Sequence, residues 1–212
     1  MARNQIIPVV EGDGDTFAVP NLISSILRNV KDRSLIVGKP KNAHGATNLK
    51  KSNGIESFVK YAWMEPNCAG VLVILDSDDD CPVQLAESLA LRIRTIGCRK
   101  PTVIVAAAKE YESWFLASCG TLTGIEHRGV TLLPKKLVFT GDPDSKRGAK
   151  EWINKQLPRN TCYKETVHQL LFTRKISHQV AATNSRSFRR MLSAIDKLRE
   201  AIANGENSFV SP

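Results

Sequence analysis

The sequence predicts an α/β fold, a mostly parallel sheet flanked by helices, with a helical C-terminal extension packed on it. Apolar runs that stop abruptly in acidic loops alternate with segments of helical period through about residue 119. After Gly120 the pattern changes to loops and then helices. The expectation is one domain over residues 1–212, with a core of about 1–119 and a loop and helical part of about 120–205.

Residues 5–10 read as a buried strand, since Ile6, Ile7, Val9 and Val10 form an apolar run with Pro8 as the one objection. The run ends in Glu11-Gly12-Asp13-Gly14-Asp15. Over residues 16–29, Phe17, Val19, Leu22, Ile23, Ile26 and Leu27 recur at helical spacing, and Pro20 falls near the first turn. A short strand follows at 34–38, then a basic loop at 39–52 and an amphipathic helix to about Met64. Val71-Leu72-Val73-Ile74-Leu75 is the strongest strand, continuous and rich in β-branched residues, as a strand covered on both faces requires. It runs into Asp76-Ser77-Asp78-Asp79-Asp80. Pro82 opens a helix that Gly97 closes, residues 101–107 form another apolar strand, and a helix covers about 110–119. Beyond it the pattern predicts a strand at 136–140, a turn at 141–144, helices at 149–157, 163–180 and 187–203, and a frayed end at 204–212.

No apolar run approaches the roughly 20 residues that span a bilayer, and the apolar stretch near the start meets Glu11 too early for a signal peptide. A cytoplasmic protein is the expectation. Cys68, Cys81, Cys98, Cys119 and Cys162 are scattered without a C-x-x-C pair, which suits free thiols in a reducing compartment. His44, His127, His168 and His178 lack ligand spacing. The net charge of +9 favours phosphate polymers by counterion release. Lys39, Lys41, His44, Lys50 and Lys51 give the early loop a basic face; Arg174, Lys175, Arg186, Arg189 and Arg190 give the last helices another. Either face can track a phosphate backbone.

In parallel sheets, ligands sit outside the carboxyl ends of the strands. Glu11 and Asp76 each follow such a strand, so neighbouring strands would bring them into one crevice. Alternation in an extended D-x-D would place Asp78 on the same side as Asp76. Carboxylates crowded in this way repel unless a cation neutralises them, and hard oxygen ligands suit Mg²⁺ or Mn²⁺. Asp15 can equally N-cap the helix at Thr16, and Asp79 and Asp80 can form a solvated turn before Pro82. Glu112, early in a helix after a sheet strand, reads either as a metal or water contact or as an acid placed by the helix dipole. Trp114, Phe115 and Leu116 read as core.

Val9-Val10-Glu11-Gly12-Asp13-Gly14-Asp15 resembles the first Toprim motif, and Leu75-Asp76-Ser77-Asp78 resembles the second. Toprim domains occur in topoisomerases, primases and overcoming-lysogenization-defect nucleases. The nucleases' Glu-Gly-x-x-acid pattern would add Asp15 to the metal ligands. More narrowly, the chain is similar to a bacterial Toprim-like family known as domain of unknown function 4276. Residues 110–117 and the Ser185-Arg186-Ser187-Phe188 segment extend that similarity over most of the chain. The resemblance implies metal ligation by Glu11, Asp15, Asp76, Asp78 and Glu112, and a late catalytic lysine matching Lys150 or Lys146. It also implies work beside an ATPase partner in phage defence.

Glu11, Asp76, Asp78 and Lys150 are thus the expected catalytic residues of a metal-dependent nucleic-acid phosphodiester hydrolase, a Toprim-like nuclease. The alternative is a non-catalytic subunit that binds nucleic acid or an ATPase. A phosphatase of the haloacid dehalogenase type also places D-x-D after a strand, but there it follows the first core strand. No G-x-x-x-x-G-K-[ST] is present, so ATP hydrolysis would fall to a partner. An oligomer is compatible with everything above.

Overall fold

The structure, a computed structural model, describes residues 3–212. Its first strand, β1 (Asn4–Val10), buries five successive residues from Ile6 to Val10, as a strand covered on both faces must. Helix α1 (Asp15–Asn29) follows, then β2 (Leu35–Val37) and β3 (Lys41–Asn42). The loop expected at 39–52 therefore contains β3 and a short helix, α2 (Ala46–Lys50), before α3 (Gly54–Trp63). The next units are β4 (Cys68–Asp76), α4 (Pro82–Thr95) and β5 (Thr102–Ala107). Pro82 occupies the first turn of α4, where no partner for its missing N–H is needed.

These strands form one sheet in the order β2-β1-β4-β5, with β3 pairing β1 beyond the end of β2. Every pairing in it is parallel. Side chains alternate between two cores. Ile6, Val10, Leu72, Ile74, Val103 and Val105 face α1 and the later helices. Ile7, Val9, Val71, Val73, Leu75 and Ile104 face α3 and α4.

The later half departs from the sequence reading in several places. The helix expected at 110–119 is the five-residue α5 (Ser113–Ala117). No strand forms at 136–140; Phe139 N–H instead donates to Cys119 Sγ at 3.2 Å. A small hairpin does form, β6 (Glu126–His127) with β7 (Val130–Thr131), around Arg128 and Gly129 at φ 51° and 77°. Positive φ at both turn residues matches the twist of the strands. Helix α6 (Ala149–Asn154) comes next.

The helix expected at 163–180 is broken into a π-helical turn (Glu165–Gln169), α7 (Leu170–Thr173) and the start of α8 (His178–Asn184). Tertiary bonding wins over periodicity there, because Ser177 N–H donates to Ser118 Oγ at 3.0 Å while Ser177 Oγ caps α8. Ser185 caps α9 (Arg186–Ala203) by accepting from Phe188 N–H at 2.9 Å. The end expected to fray instead adds β8 (Val210–Ser211) to the edge of β5. Among the described residues no helix is long and apolar enough to cross a membrane.

Helix α9 is tied to the α1–β2 loop through Arg199 Nε, which donates to Asp32 Oδ2 at 2.7 Å. Burial disfavours the Asp32 carboxylate, but bonds from Ser34 and Arg199 outweigh it and lower its pKa from 3.8 to about 2. A depressed carboxyl stabilises the fold above its ordinary pKa and loses that contribution as pH falls through the folded value. Asp32→Asn is expected to cost on the order of 1–2 kcal/mol at neutral pH. The difference from wild type in urea denaturation should shrink between about pH 4 and pH 2.

Candidate active site

From β1 the chain goes out to β2 and β3 on one side, then returns as β4 on the other. The crevice between the carboxyl ends of β1 and β4 is thus a topological switch point, the usual ligand position in open parallel sheets. Asp76 is the last residue of β4 and shares the parity of Leu72 and Ile74, so it leaves the sheet on the face of α1 and α5. Its N–H donates to Glu11 Oε2 at 3.0 Å, and its Oδ1 accepts from Tyr111 N–H at 2.8 Å. The two strand-ending acids expected to meet therefore do.

Asp15 joins them as the first residue of α1. It does not cap the helix; its carboxylate accepts from Gly12 N–H at 3.0 Å and from Gln169 Nε2 at 2.9 Å. Glu112 precedes α5, is 0% exposed and accepts from the Tyr163 hydroxyl at 2.9 Å. Its second oxygen is buried without a hydrogen-bond partner, 3.9 Å from Lys150 Nζ. Lys150 also pairs with Glu165 at 2.6 Å. The lysine is positioned by Glu110, whose two oxygens accept from the N–H groups of Gly148 and Lys150 at 3.0 and 3.1 Å, bracing the start of α6. Lys150, and not Lys146, therefore reaches the carboxylates.

Asp78 stands apart. Its φ of +49° ends the extended alternation at Ser77, and its exposed carboxylate lies 3.7 Å from Lys50 Nζ. The cause is the way the β4 and β5 loops are tied together. Asp78 N–H donates to Lys109 C=O, and Lys109 N–H, at φ +64°, donates to buried Ser77 Oγ. Left-handed backbone at two non-glycine residues costs roughly 1–3 kcal/mol each and persists only where surrounding contacts enforce it. Asp79 pairs with Arg147 and Asp80 with Lys50, as a solvated turn would.

The early basic loop is less available to phosphate than its composition suggests. Lys41 is buried, paired with Glu65 and set over the Tyr61 ring.

Electrostatics follow from burial. Asp76 is raised well above the ordinary carboxyl value by burial and by Glu112, Glu11 and Asp15. Burial lifts Asp15 to about 6 against the bonds from Gly12 and Gln169. Burial likewise lifts Glu112 to about 8 against Lys150 and Tyr163. For Lys150, burial disfavours the charge, yet Glu112, Glu165 and Asp76 outweigh it and raise the pKa. The lysine stays cationic while the carboxyls around it resist ionising together.

Sequence reasoning missed Tyr111, Tyr163, Glu165 and Gln169. Glu165 and Gln169 belong to the π-helical turn, an element that often marks functional sites. The available signal was Gly14, where a Cβ would come within 2.8 Å of Glu165 Cβ, so only glycine lets the two segments approach.

As the side chains stand, the described residues hold no group of three or more His, Cys, Asp or Glu that could bind a metal ion. Glu11 commits one oxygen to Asp76 N–H, and Asp15 commits both of its oxygens to protein donors. The Glu112 oxygen that lacks a hydrogen bond and the crowding of acids around Asp76, which Lys150 only partly offsets, nevertheless fit a cation.

Fold and site together define a mixed α/β protein with a buried carboxylate–lysine site at the switch point of a parallel sheet. The chain belongs to the family described as Domain of unknown function (DUF4276), whose model matches residues 10–196. No curated protein and no solved structure matches it.

Proposed function

We propose that this chain is a metal-dependent phosphodiester hydrolase acting on nucleic acid, of the Toprim-like kind its two acidic motifs resemble, working beside an ATPase partner in defence or DNA processing. The observation that carries the reading is the convergence of Glu11, Asp15, Asp76, Glu112 and Lys150 on one crevice, with a buried carboxylate oxygen of Glu112 left without a hydrogen bond. Those four carboxylates would hold Mg²⁺ or Mn²⁺; Asp78, displaced to the loop surface, is left out of the set. When bound, such a cation supplies the Lewis acidity that activates water and stabilises a leaving oxygen. Lys150, kept charged by its acidic neighbours, neutralises negative charge developing on a phosphate. Glu110 and Glu165 position that ammonium. The net charge of +9 favours a polyanionic substrate.

A second reading, a non-catalytic subunit that binds nucleic acid or an ATPase, is favoured by Lys150 itself, which already supplies a cation to the carboxylates. The readings separate in one experiment. Supercoiled plasmid and single-stranded RNA are incubated with the protein and Mg²⁺ or Mn²⁺, alongside a calorimetric Mn²⁺ titration. Cleavage that chelation abolishes is the expected result. Mn²⁺ binding without cleavage of either polymer would leave the binding subunit, and no Mn²⁺ binding would overturn the metal site.

A further inference from the structure

The π-helical turn at Glu165–Gln169 reaches the crevice from the far end of the chain, and it does so twice. Glu165 Oε1 lies 2.6 Å from Lys150 Nζ, and Gln169 Nε2 donates to Asp15 Oδ1 at 2.9 Å. The first contact positions the lysine. The second fastens a carboxylate.

Gln169 is 3% exposed, and its Oε1 is buried without a hydrogen-bond partner. An amide that only filled space there would be a poor choice, because methionine has a similar volume and leaves no polar atom unmatched. Asp15 fixes the orientation of the amide, since the reverse one would set its oxygen against an acceptor-only carboxylate. The main chain also yields to this contact. Gly14 has φ and ψ of −62° and −41°, which alanine adopts freely, so glycine is not required there by conformation. Space requires it, since a Cβ would collide with Gln169 Oε1 and stand 2.8 Å from Glu165 Cβ.

Asp15 is thereby held from two directions, with Gly12 N–H donating to its Oδ2 at 3.0 Å. Each carboxylate oxygen has two lone pairs, so each keeps one for a cation. Ligating carboxylates are commonly fixed by protein donors in this way, and the donors matter nearly as much as the ligands. We propose that Gln169 is a positioning residue that aims Asp15 at the cation without touching the ion itself. The inference rests on the metal reading above and adds to it a residue from outside both acidic motifs. The aim of Asp15 thus depends on a segment 154 positions away.

The test is a calorimetric Mn²⁺ titration of the full chain, its Gln169→Met and Asp15→Asn variants, and the two substitutions combined. Tb³⁺, a hard trivalent cation, serves where Mn²⁺ binds too weakly to titrate. Gln169→Met is expected to weaken binding by roughly 10–100-fold. The metal-free variant should still unfold at close to the wild-type urea concentration, because the lost hydrogen bond is offset by an oxygen no longer buried unmatched. In the Asp15→Asn background the same substitution should change affinity by less than about threefold, since its effect passes through the carboxylate. Gly14→Ala, which pushes the turn away, should reproduce the loss seen in Gln169→Met. Unchanged affinity in Gln169→Met would overturn the proposal. So would an equal loss in both backgrounds, which would mark a purely structural tie between the turn and α1. If Asp76→Asn abolishes binding while Gln169→Met keeps it, the metal reading stands and this inference alone fails. A wild type that binds neither ion overturns both.

Discussion

Asp76→Asn is expected to reduce cation-dependent cleavage of nucleic acid by on the order of 10²–10³-fold while leaving the fold intact. The substitution keeps the shape and an oxygen to accept from Tyr111 N–H, now at 2.8 Å, but removes the charge at the centre of the acidic group. Asp76 is the carboxyl whose ionisation burial, Glu112, Glu11 and Asp15 all oppose. Removing it weakens cation binding and relieves repulsion in the metal-free protein. Carboxyls with raised pKa favour the fold below their unfolded values and lose that contribution as pH climbs through the folded values. The metal-free wild type should therefore lose stability as pH rises from about 4 through about 6, where Asp15 titrates, to about 8, where Glu112 does. Asp76→Asn should flatten that slope, and saturating Mn²⁺ should reverse it in wild type only. Thermal melts across this range, paired with plasmid nicking, check both halves. Full cleavage by the variant would remove Asp76 from the chemistry.

Trp114→Ala is expected to cost about 3–5 kcal/mol, a large share of the 5–15 kcal/mol that holds a typical domain together. The indole is fully buried, 4.9 Å from the Tyr111 ring and 5.3 Å from that of Phe188. Its Nε1 donates to Ser187 Oγ at 2.8 Å, and Ser187 in turn donates to Asp144. Truncation opens a cavity and removes one member of a buried polar chain that joins α5, the turn at Pro143–Ser145 and the start of α9. Because α5 directly follows Glu112, cation affinity should fall along with stability, although the indole's hydrogen bond goes to Ser187 and not to a carboxylate. Denaturant unfolding and Mn²⁺ titration measure the two effects. A loss under about 1 kcal/mol would show that α5 is not anchored through this side chain.

The central architecture was legible because β1, β4 and β5 each carry a strongly apolar run, broken in β1 only by Pro8. The meeting of Glu11 with Asp76 followed once those strands were taken as neighbours. Asp78 was misplaced because a D-x-D run says nothing of the left-handed turn at +49°, which the Lys109 carbonyl and Ser77 hydroxyl impose from another loop. Ser177 fell inside the helix expected at 163–180, yet it caps a separate helix, while Ser185 lies just before the helix expected at 187–203 and caps it. Two-residue β8 was too short to carry a period. Tyr163, Glu165 and Gln169 could not be assigned to the site, since only tertiary packing brings them beside residues near the start of the chain. Lys150 was distinguished from Lys146 by Glu110, a contact that spans 40 positions.

That span has a kinetic consequence. Glu11 meets the Asp76 amide across 65 positions, and Gln169 meets Asp15 across 154. Contacts so distant in sequence incur their loop-closure entropy before they return any stabilisation, and chains dominated by them fold slowly. The crevice therefore matures late. During synthesis the acidic strand ends emerge well before the segment bearing Lys150, Glu165 and Gln169, and the partly made chain carries the carboxylates without their lysine. Under the proposed metal reading, cation capture would require synthesis through Gln169 and not the parallel sheet alone.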